Sequence, residues 1–439
     1  MPKKGTTKKE AYALLRGMKD ILPNDQRYWD FIMQRVQLFA RNYGFNRIET
    51  PILEPASLFT RSVGTDTDIV SKEMYAFVDQ GNEKIALRPE GTAGVVRSYI
   101  EHGMFNQTQP VKMFYFSPMF RHDRPQAGRQ RQFWQFGFET IGDQNPVMDA
   151  QLIHISYKFF AELGLPIQVD INSVGCPNCR PGYIKALATY LKGVKKSLCE
   201  DCQVRMTKNP LRVLDCKEKG CQEALVDAPQ IIDHLCQECK DHFVQVLEYL
   251  DELEVNYNLN SKIVRGLDYY SKTAWELFEV GKDGQQDALG GGGRYDGLVQ
   301  QLGGRPTPAV GFACGIERAI ARLKSNDIAV TPVAAPQLYL AQLGLEARKK
   351  CLSLYETLLA KGYTVAESFS KASLKDQLEQ ANKLQVKYSL IIGQKEMVDD
   401  TVLIRDMESG NQEVVDFKKI QDYMAKLLRS EVKNGRVED

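Results

Sequence analysis

The stretch VKMFYFSPMFRHDRPQAGRQRQFWQFGFETIG, residues 111–142, predicts two long strands joined by a polar loop. Aromatic and apolar residues dominate its two ends, residues 111–120 and 131–142. The segment RHDRPQAG between them has the proline, glycine and charged residues of a connection. The stretch therefore predicts an antiparallel hairpin.

The second strand of this hairpin has two different faces. Its side chains alternate between an aromatic set and a polar or small set, namely Trp134, Phe136 and Phe138 against Gln135, Gly137 and Glu139. Since successive strand residues point to opposite sides of a sheet, the aromatic set must pack on a core. The other face is either exposed to solvent or the floor of a ligand site, where the glycine leaves room.

The loop of the hairpin is rich in arginine. Four of these residues fall close together: Arg121, Arg124, Arg129 and Arg131. They repel one another unless an anion lies between them, so the loop is either a solvated turn or an anion-binding patch. The formal net charge of the chain is only +1, which excludes a protein that coats DNA through general basicity. A local anion site favours the ligand-floor interpretation of the neighbouring strand.

The remaining pattern predicts an α+β fold in several domains, because long antiparallel strands are surrounded by helical segments. We expect a basic tail at 1–15, a main domain at 16–330 with a mostly helical insertion at about 176–250, an α/β domain at 331–430, and a charged tail at 431–439. No apolar run approaches the about 20 residues of a membrane helix. The start MPKKGTTKKE lacks the apolar stretch of a secretory signal, so we expect a cytoplasmic protein without a membrane partner.

Three polar clusters lie in otherwise ordinary strand and turn patterns. They are LRPEGTAG at 87–94, the hairpin itself, and the pair RGLDYY at 265–270 and GGGGRYDGL at 290–298, followed by GIER at 315–318. None is a Walker loop, and the glycine run does not fit G-x-G-x-x-G in a βαβ unit. A nucleotide site here would therefore need arginines, and the glycines would let a substrate approach the backbone.

At this point the chain resembles the class II aminoacyl-tRNA synthetases, most closely the histidyl-tRNA synthetase family. The resemblance rests on segments in the family's order: RGMKDILP at 16–23, ETPILEP at 49–55, MFRHDRPQAGRQRQFWQFGFETIG at 119–142, RGLDYY, GGGGRYDGLVQQLGG at 290–304 and VGFACGIERAIARL at 310–323. It implies an antiparallel class II core. It also implies a homodimer with Pro51 at the interface, and a C-terminal class IIa anticodon-binding domain.

The family's reaction implies roles for the arginines. Histidine and ATP condense to histidyl-adenylate and pyrophosphate, and histidine then passes to the 3′ end of tRNA(His). Negative charge builds at the α-phosphate, so fixed cations are required there. By resemblance, Arg121 and Arg265 are catalytic and supplement Mg²⁺, and ATP binding involves Arg121, Arg318 and Glu139.

The resemblance also implies a histidine-binding set: Glu90, Gly91, Thr92, Gln135, Glu139, Arg265, Tyr269, Tyr270 and Tyr295. Glu90, Thr92 and Gln135 would take the α-ammonium group. Imidazole has a donor and an acceptor edge, which Glu139 and Tyr270 would satisfy, with Tyr295 closing the pocket and Tyr269 beside it.

Eight of the ten cysteines lie in the insertion: Cys176, Cys179, Cys199, Cys202, Cys216, Cys221, Cys236 and Cys239. Without a signal peptide the compartment is reducing, so disulfides are not expected. The spacing suits structural Zn²⁺. One arrangement joins the first two pairs into one site and the last two into a second, the pairs could instead interleave, and the alternative is a set of reduced thiols.

Two functions from different classes are compatible with the resemblance. The first is a histidine–tRNA ligase with tRNA(His), L-histidine and ATP as partners. The second is a catalytically inactive paralogue that acts as a regulatory subunit of ATP phosphoribosyltransferase. Such a paralogue typically lacks the anticodon-binding domain and degrades RGLDYY, and both are intact here. The sequence therefore favours the ligase.

Overall fold

The computed structural model describes residues 12–65, 67–124, 128–263, 267–281, 288–330 and 335–434. They divide into two compact units, 1–331 and 332–439. Arg265 and most of the predicted N-terminal tail lie outside the described residues. Of the predicted tail at 431–439, residues 431–434 form the end of the last helix and the rest lies outside the description.

The first unit contains both helices and strands. Its helices are α1 (Pro23–Tyr43), α2 (Ala56–Val63), α3 (Thr92–Glu101), α4 (Pro146–Glu162), α5 (Arg180–Gly193), α6 (Glu200–Lys208), α7 (Lys219–Ala224), α8 (Gln237–Glu252), α9 (Leu298–Gln301) and α10 (Ile316–Ser325). Its strands are β1 (Asn46–Arg47), β2 (Leu53–Pro55), β3 (Ala76–Val78), β4 (Lys84–Leu87), β5 (Val111–Phe120), β6 (Gln132–Ile141), β7 (Ile167–Ser173), β8 (Tyr257–Leu259), β9 (Ser271–Glu279), β10 (Gly290–Arg294) and β11 (Ala309–Gly315).

One large sheet organises this unit. Its strand order among the described residues is β1-β5-β6-β11-β10-β9-β7-β8. All pairs from β5 to β7 are antiparallel, and only the edge strands β1 and β8 pair in parallel. A smaller antiparallel sheet has the order β2-β4-β3. The predicted α+β class and the predicted hairpin, now β5 and β6, are confirmed.

The two faces of β6 separate as the alternation predicts. Phe136 and Phe138 are fully buried in the main core, and Phe138 stacks on Phe312 of β11 with ring centroids 5.2 Å apart. Trp134 meets Trp29 of α1 edge to face at 5.8 Å. Each buried aromatic side chain of this kind stabilises the fold by about 1.5–3 kcal/mol. The aromatic face therefore holds α1 and α4 on one side of the sheet and leaves the other side for polar groups.

The glycines of β10 make room for rings. A Cβ atom at Gly292 would lie 2.6 Å from Trp275 Cζ2, and one at Gly293 would lie 2.5 Å from the Tyr270 ring. Protein rings therefore fill the space beside Gly292 and Gly293, and the approach of a substrate to the glycine backbone stays a prediction. Side chains from β9 and the segment before it occupy the space, which brings Tyr270 close over the sheet.

The second unit is a three-layer α/β domain. In chain order its helices and strands are β12 (Leu338–Gln342), α11 (Leu345–Ala360), β13 (Val365–Glu367), α12 (Leu374–Lys383), β14 (Tyr388–Ile392), α13 (Gln394–Asp399), β15 (Thr401–Asp406), β16 (Gln412–Asp416) and α14 (Ile420–Asn434). The sheet order is β13-β12-β14-β15-β16. Helices α11 and α14 pack on one face of the sheet and α12 on the other. Within the described ranges, no helix has the length and apolarity needed to cross a membrane.

A fully buried ion pair ties the first unit together. Arg294, at the end of β10, donates through Nε to both carboxylate oxygens of Asp149 on α4, at 3.1 and 3.0 Å. The same carboxylate contacts His242 Nε2 of α8 at 3.3 Å. Burial would raise the pKa of Asp149, but the Arg294 guanidinium and the His242 hydrogen bond outweigh burial and lower the pKa to about 2. The pair thus joins the sheet to two helices.

Asp149→Asn should destabilise the protein strongly, because it leaves the Arg294 guanidinium buried without an anion. Breaking a buried pair of this kind removes about 3–5 kcal/mol from the free energy of unfolding, which urea denaturation measures. The control is Asp25→Asn, whose ion pair with Lys324 is partly exposed and should contribute only about 0–1 kcal/mol. Equal effects of the two substitutions would contradict a dominant role for the Arg294–Asp149 pair.

Candidate active site

A cavity of about 910 Å³ opens on the face of the large sheet opposite the aromatic core. Seven of the residues predicted to bind histidine or ATP line it: Glu90, Thr92, Arg121, Gln135, Tyr269, Tyr270 and Arg318. Three others lie behind its surface: Gly91, Glu139 and Tyr295. Arg265 lies outside the described residues, so its predicted place at the α-phosphate stays a prediction.

The first turn of α3 forms one corner of the cavity. The Glu90 carboxylate accepts hydrogen bonds from the backbone N–H groups of Thr92, at 2.6 Å, and Ala93, at 2.9 Å. A carboxylate at a helix start is favoured because these N–H groups have no partner within the helix. Burial nevertheless raises the pKa of Glu90, although both N–H groups lower it. An incoming cation would relieve that penalty.

Glu139 is held by two hydroxyl groups. Thr92 Oγ1 donates to Glu139 Oε1 at 2.7 Å, and the Tyr295 hydroxyl donates to Oε2 at 2.5 Å. Burial raises the pKa of Glu139 to about 8, against the lowering effect of the same two hydrogen bonds. The two neutral hydroxyl donors thus do not offset the effect of burial on the pKa of Glu139, whereas the Arg294 guanidinium does so for Asp149. At neutral pH this environment therefore favours the protonated carboxyl.

A group of tyrosines closes the same end of the cavity. Tyr269 contacts Tyr270 with ring centroids 4.8 Å apart and Tyr295 at 5.6 Å. Burial raises the pKa values of Tyr269 and Tyr295 well above the usual range. Both phenols therefore stay protonated and able to donate at neutral pH.

Tyr115 of β5 belongs to this group and was missed in the sequence. A Cβ atom at either Gly91 or Gly137 would lie 2.4 Å from the Tyr115 ring. The room that Gly137 leaves on the polar face is therefore filled by Tyr115, which lies opposite it on the neighbouring strand. A glycine directly across the predicted hairpin from an aromatic residue is the signal that could have identified it.

The arginine loop is partly neutralised from within. Arg129 donates to the Asp123 carboxylate at 2.8 Å, and Arg131 Nε approaches the Asp123 carbonyl at 3.5 Å. Arg121 instead donates to the Pro89 carbonyl at 2.9 Å and lies 5.3 Å from the Phe133 ring centroid. The Asp123 carboxylate therefore pairs with Arg129, whereas Arg121 lies beside Pro89, the residue before Glu90.

The start of α10 supplies the far end of the cavity. Both carboxylate oxygens of Glu317 accept the backbone N–H of Trp134, at 2.9 and 3.0 Å, and burial raises the pKa of Glu317 to about 7. Arg318 donates to the Ala288 carbonyl and lies beside Gly128 of the arginine loop. The sequence pattern did not identify Glu317, which joins α10 to the polar edge of β6.

The insertion contributes part of the cavity wall, which the sequence did not predict. The contributing side chains carry both signs of charge: Glu200, Asp201, Arg205, Arg212, Asp215, Lys217 and Glu218, with Cys199 and Cys216 among them. Arg205 contacts Asp68 at 3.5 Å. Burial, with the neighbouring Glu276, raises the pKa of Asp215 to about 6. A ligand in the cavity would therefore meet the insertion as well as the sheet.

The eight insertion cysteines form two groups, each with four sulfur atoms within 4.8 Å of one another. The outer cluster is Cys176, Cys179, Cys236 and Cys239, and the inner cluster is Cys199, Cys202, Cys216 and Cys221. The structure therefore shows neither the sequential arrangement nor an alternating one: the first pair meets the last, and the two middle pairs meet each other. The first and last pairs meet because β7 and α8 both lie against β9, and the two middle pairs are joined within the insertion.

Comparison with known proteins agrees with this geometry. Residues 17–319 match the family model for histidyl-tRNA synthetase, and residues 327–427 match that of an anticodon binding domain. A histidine–tRNA ligase of Dehalococcoides mccartyi is 45% identical over 92% of this chain and 97% of its own length. The crystal structure of apo Staphylococcus aureus histidyl-tRNA synthetase is 34% identical, with a TM-score of 0.78 over 94% of this chain and 99% of that chain.

The antiparallel sheet with a polar cavity on one face is the class II synthetase core that the motifs predict. The chain belongs to the histidyl-tRNA synthetase family. A Bacillus halodurans protein described as an ATP phosphoribosyltransferase regulatory subunit/histidyl-tRNA synthetase shares the fold at 20% identity, with a TM-score of 0.62 over 88% of this chain and 99% of that chain. The fold alone therefore does not separate the two functions considered above.

Glu139→Gln should stabilise the empty protein at pH 8 and leave it nearly unchanged at pH 5. The folded-state pKa of about 8 lies above the usual 4.5, so the native state binds more protons than the unfolded state between those values. Stability is therefore lost as the pH rises through this window. Glutamine mimics the protonated acid and does not titrate, so its advantage at pH 8 should be on the order of a few kcal/mol.

The measurement is urea unfolding at both pH values, with the exposed Glu101→Gln as the control. Glu101 is on the surface of α3, so its substitution should leave the pH dependence unchanged. Parallel pH profiles for Glu139→Gln and wild type would mean that Glu139 is already ionised in the empty site.

Proposed function

We propose that this protein is a histidine–tRNA ligase, which activates L-histidine with ATP and then transfers histidine to the 3′ end of tRNA(His). The observation that carries the proposal is the buried Glu139 carboxyl, held by Thr92 and Tyr295 beside a cavity that has Arg121 and Arg318 on its wall. Such a site has acidic groups that lack a cation and cations suited to an anion. The ammonium group of an amino acid supplies a cation, and a nucleoside triphosphate supplies an anion.

Histidine would occupy the end of the cavity that holds the carboxyls and tyrosines. Glu90, Thr92 and Gln135 would accept the α-ammonium group, and Glu139 and Tyr270 would satisfy the imidazole. Both Glu139 oxygens already accept one hydrogen bond, but each carboxylate oxygen has a second acceptor position. Binding a donor there favours the ionised carboxylate, so histidine binding would lower the pKa of Glu139 and release its proton.

ATP would extend from this end toward Arg318. The histidine carboxylate attacks the α-phosphate in line, and charge on the phosphate oxygens increases in the transition state. Arg121, which donates to the Pro89 carbonyl, would stabilise that charge, and Arg318 would hold the distant phosphates. Mg²⁺ would accompany the triphosphate. The contributions of Arg265 to catalysis and of Glu139 to ATP binding stay predictions.

The remaining assignments belong to the same proposal. The second unit would bind the anticodon of tRNA(His), the cysteine clusters would hold structural Zn²⁺, and the protein would act in the cytoplasm as a homodimer. The paralogue that regulates ATP phosphoribosyltransferase is not favoured, because the match to an anticodon binding domain and the arginines of the site are both present.

Exposed apolar side chains support the proposed homodimer. Ile52 and Leu53 of the predicted interface segment are 42% and 46% exposed, and Phe77 and Val78 of the same small sheet are 48% and 59% exposed. Leu53→Asp combined with Phe77→Asp should therefore shift the protein to monomers in sedimentation velocity. Val398→Asp, which changes an exposed side chain of the second unit, should leave the dimer intact. A monomeric wild type, or a dimeric double variant, would contradict the proposed interface.

Histidine-dependent exchange of labelled pyrophosphate into ATP tests the activation step. Wild type should catalyse exchange with histidine only, and Arg121→Ala and Arg265→Ala should each lower the rate by about 10²–10³, as removal of a transition-state charge partner does in other enzymes. The control is Arg47→Ala, which removes an exposed arginine outside the cavity wall. If the folded protein shows no exchange with any amino acid, the ligase proposal is wrong and the regulatory paralogue is favoured.

A further inference from the structure

The sulfur atoms of the outer cluster are spaced for a tetrahedral metal. Cys176 Sγ lies 3.8 Å from Cys236 Sγ and 3.6 Å from Cys179 Sγ, and Cys179 Sγ lies 3.8 Å from Cys239 Sγ. A tetrahedral Zn²⁺ site with bonds of about 2.3 Å has sulfur–sulfur edges of about 3.8 Å. A disulfide would instead need about 2.05 Å. The spacing therefore fits thiolates around one ion.

The inner cluster has the same character. Cys199 Sγ lies 3.8 Å from Cys216 Sγ, and the Cys199 N–H donates to Cys221 Sγ at 3.1 Å. In the outer cluster the Cys176 N–H similarly donates to Cys179 Sγ at 3.0 Å. Backbone N–H groups that donate to a thiolate ligand orient that ligand toward the metal.

The insertion has few other means of holding its shape. Between α5 and α8 its regular elements are short, with α6 and α7 only 9 and 6 residues long. Three of the inner cysteines, Cys202, Cys216 and Cys221, are themselves part of the insertion's small core. Small cores of this type commonly require a metal or a disulfide for stability.

The outer cluster is connected directly to the substrate end of the cavity. It begins right after β7, where the Lys272 N–H donates to the Gly175 carbonyl at 2.9 Å and the Val174 N–H donates to the Lys272 carbonyl at 2.7 Å. On the other side, Lys272 Nζ contacts Glu238 of α8 at 2.9 Å. Both halves of the cluster are therefore attached to Lys272, which lies two residues after Tyr270 in the chain.

Arg180 makes the connection to Tyr270 itself. It follows Cys179, and its guanidinium donates to the carbonyl groups of Val174 at 3.2 Å, Gly175 at 3.4 Å and Tyr270 at 2.5 Å. A Zn²⁺ ion with four thiolates carries a net charge of −2, and Arg180 is a cation at its edge. The guanidinium thus bridges the cluster to the backbone of a residue that lines the cavity.

We infer that the two clusters are separate Zn²⁺ sites and that the outer one, through Arg180, holds Tyr270 in position in the histidine end of the cavity. The inner one holds the part of the insertion that lines the cavity, because Cys199 and Cys216 lie in that wall. Arg180 is then a positioning residue. The inference rests on the proposed function for the identity of the ligand, but the metal sites do not depend on it.

Metal content measured by native mass spectrometry gives the first result. The purified full-length protein should carry two zinc ions per chain, Cys236→Ser and Cys221→Ser should each carry one, and Cys351→Ala, in the second unit, should carry two. Cys236→His should retain both ions, because histidine is also a Zn²⁺ ligand. Wild type without bound metal, or with iron in place of zinc, would overturn the zinc assignment.

Pyrophosphate-exchange kinetics give the second result. Cys236→Ser should raise the KM for histidine about tenfold or more with little change in the KM for ATP, and Cys236→His should restore the wild-type value. Arg180→Met should raise the KM for histidine in the same way while it keeps two zinc ions. An unchanged KM for histidine in either Cys236→Ser or Arg180→Met would overturn the positioning role. If wild type shows no exchange while two zinc ions are bound, the proposed function fails and the metal sites stand.

Discussion

The Asp149 carboxylate and the Arg294 guanidinium are both fully buried, and each removes the penalty that the other would carry alone. Their pair joins β10 to α4 and, through His242, to α8, which in turn carries half of the outer cysteine cluster. The large sheet, the helix behind it and the end of the insertion are thus fixed to one another at a single charged contact. The cavity on the other face of the sheet depends on that arrangement, because its walls come from the same strands.

Beside the cavity, by contrast, a buried carboxyl is held by neutral groups. Glu139 is as deeply buried as Asp149, yet its partners are hydroxyl groups, and its pKa is raised to about 8 where that of Asp149 is lowered to about 2. The physical distinction between the two carboxyls is the guanidinium that contacts Asp149, where Glu139 contacts only hydroxyl groups. Arg121 and Arg318 bring positive charge to the cavity wall. Under the proposed function, a bound substrate would recover the stability that burial of Glu139 costs.

Local sequence patterns predicted the hairpin, the two faces of β6 and the α/β character of the second unit, because side-chain alternation and element length are visible in the chain. Motif resemblance located Glu90, Thr92 and Glu139, which the structure brings into contact. Contacts between distant segments were not predictable in this way. Tyr115 fills the space beside Gly137 only across the hairpin, Arg294 meets Asp149 only in three dimensions, and spacing cannot determine how four cysteine pairs combine.

The glycine run of β10 gives Arg294 a further role in strand pairing. A strand normally resists sliding along its neighbours because a shift of one residue would move its side chains to the wrong face. Gly290 to Gly293 have no side chains to be misplaced, so this segment specifies its own register weakly. Arg294 ends the glycine run where the register of the pairing with β9 shifts. Its hydrogen bonds to Asp149 anchor the strand at one position. The buried ion pair thus also fixes the register of a strand whose own residues specify that register only weakly.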